Sequence, residues 1–502
     1  MSRRPIGVGT AGISDRFFLL PPDPKPKGNH MKKIPKILAA LLSAAVFLSS
    51  AAVTAAAKQQ YYVTPLSENV NVRSGPGMSY EILGKARYGA HYPYLGLSID
   101  AGGTSWYRVR CSNPEFDYVW ISGDVAHRFP TELTGDAEPA LEDASGSRIN
   151  GQVQEIVNET AEKYGASGVQ IAVFRGDDGA LFTWNYGYAT KNTEAMSEDT
   201  KIRIASISKV AVAVAALKMQ EQGIVDLDKS VGKYWGEKLP KKVTLKNLLT
   251  HTSTLRYLGF RGSAEDTLAQ LVNKNNYIDG KPGTKSVWSY NNYAIGVAGT
   301  TLEMASGVPL DDYLREEIFS PLGIDASFFS GSFGEDASLA TLYEQDGGVE
   351  RTEAEGRAIV GTREIGRNTS MFSGSLTISA KDTAKLFRLL ADNGKYDGER
   401  ILSSKSVKEM EERQFRTSEY GGKFYQCVPL RYVKNRYGAS RLLYHTGNAY
   451  GVIAMASYNP ETRDTVVVLT VGAKPSRDQY GVYEVCGFLS KLLYRNMEKL
   501  GK

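Results

Sequence analysis

The sequence predicts an α+β domain, one antiparallel sheet with flanking helices and a helical insertion, preceded by a small all-β barrel. Three observations predict it. Runs of β-forming residues lie near both ends of residues 149–502, with a long helical and loop-rich stretch between them. The sheet is therefore expected to be built from the two termini of that segment. From Tyr61 to Phe129 the chain instead offers only short strand-like runs and turn residues, with no helical period, the pattern of a small barrel. Residues 130–148 are polar, acidic and poor in large apolar side chains, as a linker would be.

Ahead of the barrel, Met31-Lys32-Lys33 opens a basic segment, residues 37–48 are apolar, and Ala55-Ala56-Ala57 precedes Lys58. This is the layout of a cleaved export signal, so an exported protein is expected, extracellular, wall-associated or periplasmic. Residues 1–30 are Pro-rich and precede Met31, which reads as a second plausible start. Membrane attachment is expected only if the segment is retained. The predicted organisation is thus a presequence and signal at 1–57, a barrel at 58–129, a linker at 130–148 and a main domain at 149–502. The net charge of +5 does not mark a nucleic-acid binder. Residues 1–57 carry eight Lys/Arg against Asp15 and Asp23, which leaves the rest of the chain near −1. Three scattered cysteines (Cys111, Cys427, Cys486) exclude a disulfide framework and a cysteine zinc site, leaving a single Cys427–Cys486 bridge open.

Within the barrel, residues 61–63, 70–73, 81–83, 106–109 and 118–121 read as strands, and Ser74-Gly75-Pro76-Gly77 as turn chemistry. In the main domain an amphipathic helix (Val153, Ile156, Val157, Ala161, Tyr164) leads to strands at 168–174 and 181–188, joined by the turn Gly176-Asp177-Asp178-Gly179. A helix follows Ser206 and closes at Gly223. Two further strands at 452–458 and 465–471 precede a final amphipathic helix over 479–500.

Candidate chemistry sits at Ser206-Ile207-Ser208-Lys209, heading a run (Val210 to Leu217) that is apolar on every side and therefore buried. Residues three apart share a helical face. A lysine kept neutral by desolvation is one of the few groups able to activate a serine hydroxyl, and a helix N-terminus favours the negative charge that develops. Alone, this tetrapeptide is weak evidence. Two later elements occur in order: Tyr290-Asn291-Asn292, and His445-Thr446-Gly447 opening a strand. With these three motifs, residues 150–497 resemble the serine hydrolases of the penicillin-binding protein and β-lactamase family, nearest the class C branch. Supporting runs are 243–253, with Thr254 where that family has glycine, and 373–379, again with one glycine changed. Ser379-Ala380-Lys381-Asp382 reads as a capping box.

The resemblance implies a β-lactamase/transpeptidase-like fold, with Ser206 as nucleophile, Lys209 as base and Tyr290 as proton shuttle. It implies that Asn292, His445, Thr446 and Gly447 bind substrate, Gly447 by leaving room for it. The N–H groups of Ser206 and Asn448 would form the oxyanion hole. No metal or cofactor is required. Histidine at 445, where lysine is the alternative, tilts the expectation toward a D-Ala-D-Ala carboxypeptidase acting on peptidoglycan stem peptides. A β-lactamase, a D-amino-acid esterase or peptidase, and a catalytically silent wall-binding or β-lactam-sensing protein are the alternatives. The barrel's Asn71-Val72-Arg73-Ser74-Gly75-Pro76-Gly77, Trp106-Tyr107-Arg108-Val109 and Val119-Trp120-Ile121 resemble the bacterial SH3-like domain, which implies cell-wall peptides as partners. A Ser-His-Asp hydrolase lacks its Gly-x-Ser-x-Gly elbow here, and Gly7-Val8-Gly9-Thr10-Ala11-Gly12 lies in the presequence with no preceding strand.

Overall fold

The computed structural model describes residues 61–65, 70–86, 90, 92–99, 104–111, 118–123, 125–130 and 146–501. The presequence, the predicted signal segment and most of the acidic linker lie outside the described residues. Among those described, no helix is long and apolar enough to cross a membrane.

The first seven strands form one sheet in the order Ile82–Ala86, Val70–Arg73, Tyr118–Ser122, Ser105–Arg110, Tyr92–Ile99, Tyr61–Pro65, Ala126–Pro130. Alternate residues (Val63, Val72, Val109, Ile121) face a shared apolar core. Arg73 pins the turn after its strand by donating to the carbonyls of Met78 (3.0 Å) and Tyr80 (2.7 Å). Arg128 of the last strand meets Glu155 (3.5 Å) and Glu159 (3.2 Å) on the helix Gly146–Lys163.

The main domain is built on a nine-stranded sheet, antiparallel throughout. Its strands run Glu194–Ala195, Leu181–Thr190, Gly168–Phe174, Thr465–Val471, Val452–Tyr458, Ala439–Ala449, Arg431–Arg436, Gly422–Gln426, Phe415–Glu419. The central strands are wholly buried, because helices cover both faces. Val169, Ile171, Val173, Val466 and Val468 pack with helices Gly146–Lys163 and Glu484–Arg495. Ala172, Phe174, Val467, Leu469 and Ala454 pack on the other side with the helical insertion and the helix Ser208–Glu221. The period-two side-chain alternation of a strand thus splits one apolar run between two cores.

Three expectations are corrected. The last helix is Glu484–Arg495, shorter than 479–500, because Asp478 accepts the N–H groups of Tyr480 and Val482 and holds that stretch as a turn. Cys427 and Cys486 are free and belong to the cores on opposite faces of the sheet, so they do not pair. Ser379 caps its helix through the Asp382 N–H (3.1 Å), while the Asp382 carboxylate turns to Lys201 and Lys385 instead of closing a box.

Candidate active site

Ser206 stands in a single 3-10 turn, Ala205–Ile207, immediately before the helix Ser208–Glu221 rather than on it. Ala205 holds φ +48°, a conformation costly for a residue with a side chain and sustained only where surrounding structure enforces it. Ser208 supplies that enforcement. Its Oγ donates to Ala205 O (2.6 Å) and accepts the Leu376 N–H (3.0 Å). The turn presents Ser206 partly open to solvent, between residues that are themselves buried.

One turn on, Lys209 is completely buried in the insertion-side core. Its Nζ lies 2.8 Å from Ser206 Oγ and donates to Ser373 O (2.5 Å). Burial, reinforced by the nearby Arg431, drives its pKa well below the ordinary lysine value, against a smaller opposing pull from Glu419. A neutral amine within hydrogen-bond distance of a serine hydroxyl is what a general base requires.

Tyr290 completes the centre. Lys209 Nζ is 5.1 Å from its ring centroid. Burial raises its pKa, with Ser206 and Arg431 pulling the other way, so at neutral pH it is a phenol, a proton donor rather than a phenolate. His251 stacks against it with centroids 4.4 Å apart. The ring Nδ1 of His251 accepts the Asn291 N–H (3.2 Å), and its carbonyl accepts the Ser289 N–H (3.0 Å), so one residue fixes the whole 289–291 segment. Asn291 then caps the helix Asn292–Ser306, accepting the Ala294 N–H. Asn292 opens that helix with a buried Oδ1 that has no hydrogen-bond partner. An orphaned buried acceptor is costly, and a donor on a bound molecule would satisfy it.

His445, Thr446, Gly447 and Asn448 lie on the strand Ala439–Ala449. Arg431 pairs opposite Tyr444, and the neighbouring strand accompanies Ala439–Ala449 no further in that direction. Residues 445–449 are paired only on their other side, with Val452–Tyr458. The Ser206 turn packs against this stretch: a Cβ on Gly447 would come within 2.5 Å of Ile204 O. A side chain at 447 would therefore collide with the turn's own backbone. His445 is buried, its pKa driven well below 6.5 by burial and then by Arg431 and Lys209. Its Nδ1 lies 2.8 Å from Thr446 O, an acceptor only, so Nδ1 carries the proton and the ring is neutral.

The positive charge of the site is instead Arg431, buried and ion-paired with Glu419. Sequence reading missed both. They lie on Phe415–Glu419 and Arg431–Arg436, either side of Gly422–Gln426, in a stretch with neither a motif nor a strong apolar alternation, and only folding carries them to Lys209, Tyr290 and His445. Thr254 has φ +66°, so it adopts the left-handed backbone that a glycine would take without strain. Ser375 accepts from Arg203 Nη2 (3.0 Å) and is thereby part of the site's frame.

The family model described as Beta-lactamase matches residues 153–484, about two thirds of the chain and every element of this centre. The chain belongs to the Beta-lactamase family. Among curated members of this serine-hydrolase family, it is 30% identical over 188 residues to a beta-lactamase of Yersinia enterocolitica, covering 36% of this chain and 47% of that one. It is 27% identical over 183 residues to a penicillin-binding protein of Bacillus subtilis (strain 168), covering 34% and 40%. The chain therefore spans less than half the length of either relative. The fold is shared with a solved beta-lactamase from Sulfitobacter sp. EE-36 (TM-score 0.57, 18% identity, 71% of this chain and 99% of that one). It is also shared with an octameric penicillin-binding protein homologue from Pyrococcus abyssi (TM-score 0.56, 23% identity, 69% and 77%).

Proposed function

We propose that this member of the Beta-lactamase family is an exported D-Ala-D-Ala carboxypeptidase-like acyl hydrolase that works on peptidoglycan stem peptides through an acyl-enzyme on Ser206. The observation that carries the reading is the buried, charge-depleted Lys209 Nζ at 2.8 Å from Ser206 Oγ. Lys209 takes the Ser206 proton as Oγ bonds to the substrate carbonyl carbon. The N–H groups of Ser206 and Asn448 hold the oxyanion. As the tetrahedral intermediate collapses, the C–N bond breaks and the leaving amine takes a proton from the Tyr290 phenol, which Lys209 restores. Water then attacks the acyl-enzyme carbonyl, giving its proton to the same base; the bond from the acyl carbon to Oγ breaks, the acid leaves, and the base returns the proton to Ser206 Oγ.

Substrate contacts follow from the same geometry. Asn292 Oδ1, otherwise unsatisfied, accepts an amide N–H of the substrate. Thr446 and the open stretch 445–449 bind an extended peptide by strand addition. Since His445 is neutral and Arg431 is already paired with Glu419, Thr446 and the backbone of the open stretch receive the terminal carboxylate of a D-Ala leaving group. The seven-stranded barrel, as an SH3-like module, holds the enzyme to cell-wall peptides.

The test is the intact mass of the mature protein after incubation with benzylpenicillin, beside Ser206→Ala. The expected result is a penicilloyl adduct on wild type only. Intact drug with no adduct refutes the acyl-enzyme reading. Rapid drug hydrolysis without an accumulated adduct replaces the peptidase assignment with a β-lactamase.

A further inference from the structure

At the far end of the open stretch 445–449, two arginines converge on one exposed tyrosine. Arg203, three residues before the nucleophile, places its Cζ 3.9 Å from the centroid of the Tyr450 ring. Arg351, from the strand Val349–Arg351, places its Cζ 4.4 Å from the same ring. Arg203 is anchored by Gly374 O (2.7 Å) and Ser375 Oγ (3.0 Å). Among the described residues, neither guanidinium has a carboxylate partner within 4.0 Å, although most other buried or half-buried arginines of the domain do. Burial works to raise the Tyr450 phenol's pKa, yet the two arginines more than offset it and leave it below the ordinary tyrosine value. The two guanidiniums thus lack a direct carboxylate partner, although Glu355 lies near enough to Arg351 to feel its charge.

The backbone adds a second sign of selection for side-chain placement. Tyr450 and Gly451 form the two-residue turn between Ala439–Ala449 and Val452–Tyr458, with φ +54° and +70°. Such turns favour Asn, Asp or Gly at both positions, and an aromatic residue there is strained. The contacts of the Tyr450 ring with the two guanidiniums help to offset that strain.

Arg431 stands opposite Tyr444, and Tyr450 follows directly on the end of that strand, six residues on, less than about 20 Å at the rise of an extended chain. The Ser206 turn packs between them, against Gly447. We infer that Arg203, Arg351 and Tyr450 form a carboxylate-binding subsite for the acyl side of an extended peptide laid along residues 445–449. The inference rests on the proposed acyl-transfer reading and adds to it a substrate class. The peptide is acidic at both ends of the bound segment, with a terminal carboxylate at the His445–Thr446 end and a side-chain carboxylate toward Arg351. Guanidinium forks match carboxylates in two-point geometry, and a phenol donor beside them supplies a third contact.

The experiment measures equilibrium binding by calorimetry to full-length Ser206→Ala, which cannot turn substrate over. Two matched D-Ala-D-Ala peptides are compared, one with a free side-chain carboxylate on the acyl side and one with that group amidated. The acidic peptide is expected to bind about tenfold tighter or more, the usual effect of a charge-assisted hydrogen bond. Arg351→Gln, checked for folding by its thermal unfolding, is expected to abolish the difference between the peptides. Equal binding of the two peptides, no binding of either, or a difference that survives Arg351→Gln overturns the subsite. Penicillin labelling of Ser206 separates the two claims. A labelled enzyme with no peptide discrimination leaves the acyl-transfer reading standing and removes the subsite, and discrimination without labelling does the reverse.

Discussion

Two glycines touch the turn that carries Ser206, and they should respond to the same substitution in opposite ways. In Gly447→Ala the new methyl would lie 2.5 Å from Ile204 O and 3.4 Å from Ala205 Cβ. Close approaches of a methyl stop near 3.0 Å, so the turn or the strand must move by at least about 0.5 Å. The atom in the way is backbone, in a residue tied down by the Ile207 N–H on its carbonyl (3.3 Å) and by its own N–H to Leu376 O (2.9 Å), and cannot swing aside. Since a misplacement of about 1 Å at a reacting group costs about a hundredfold in rate, acylation of Ser206 should fall about ten- to a hundredfold. The overpacking should also cost about 1–3 kcal/mol of stability. In Gly374→Ala the methyl meets Ala205 at 3.7–3.9 Å, ordinary contact distance. That variant should acylate within about threefold of wild type, since a methyl in ordinary contact demands no movement of the turn. Stopped-flow acylation by a chromogenic β-lactam and urea unfolding read both quantities. Wild-type acylation in Gly447→Ala, or equal losses in both variants, would refute the steric account of how the turn is seated.

Lys209→Ala should lose about 10²- to 10⁴-fold in acylation rate. The wild-type rate should rise with pH through a single ionisation below the ordinary lysine range, because only the neutral amine accepts the serine proton; a flat profile would place the base elsewhere. His251 and His445 have folded-state pKa values held below the free value of 6.5 by burial. The unfolded chain therefore binds more protons below that pH, and each histidine subtracts up to about 1.4 kcal/mol per pH unit as pH falls. Urea unfolding at pH 7, 6 and 5 should show a shallower acid loss in His445→Gln than in wild type, and equal slopes would contradict a buried neutral ring. Thr254→Gly should raise stability by about 1 kcal/mol by relieving the left-handed backbone, and an unchanged or lower unfolding midpoint would show that the threonine is not strained.

The strands at 452–458 and 465–471 were legible because a sheet covered on both faces writes itself as continuous apolar sequence, and the helix after Ser206 because it is apolar all round. Lys209 lies beside both Ser206 and the Tyr290 ring, and Asn292 follows two residues after that tyrosine. What was hidden is long-range. Nothing in the polar run at 415–426 announces that Glu419 will neutralise a buried Arg431 beside the nucleophile. Spacing alone places Ser206 and Lys209 on one helical face, yet Ala205 breaks the helix one residue ahead of the serine, and that turn exists only because Ser208, Leu376 and Gly447 enforce it from three parts of the chain.

The sheet pairs Gly168–Phe174 with Thr465–Val471, segments separated by some 290 residues. Almost the entire domain must therefore be made before the hairpin of Gly168–Phe174 and Leu181–Thr190 joins the rest of the sheet, and until then the nucleophile helix lacks most of the floor it rests on. Loop closure over such a span is slow compared with helix formation. The growing chain stays pliable while it is made, and loss of a few dozen C-terminal residues removes the middle of the molecule rather than its edge.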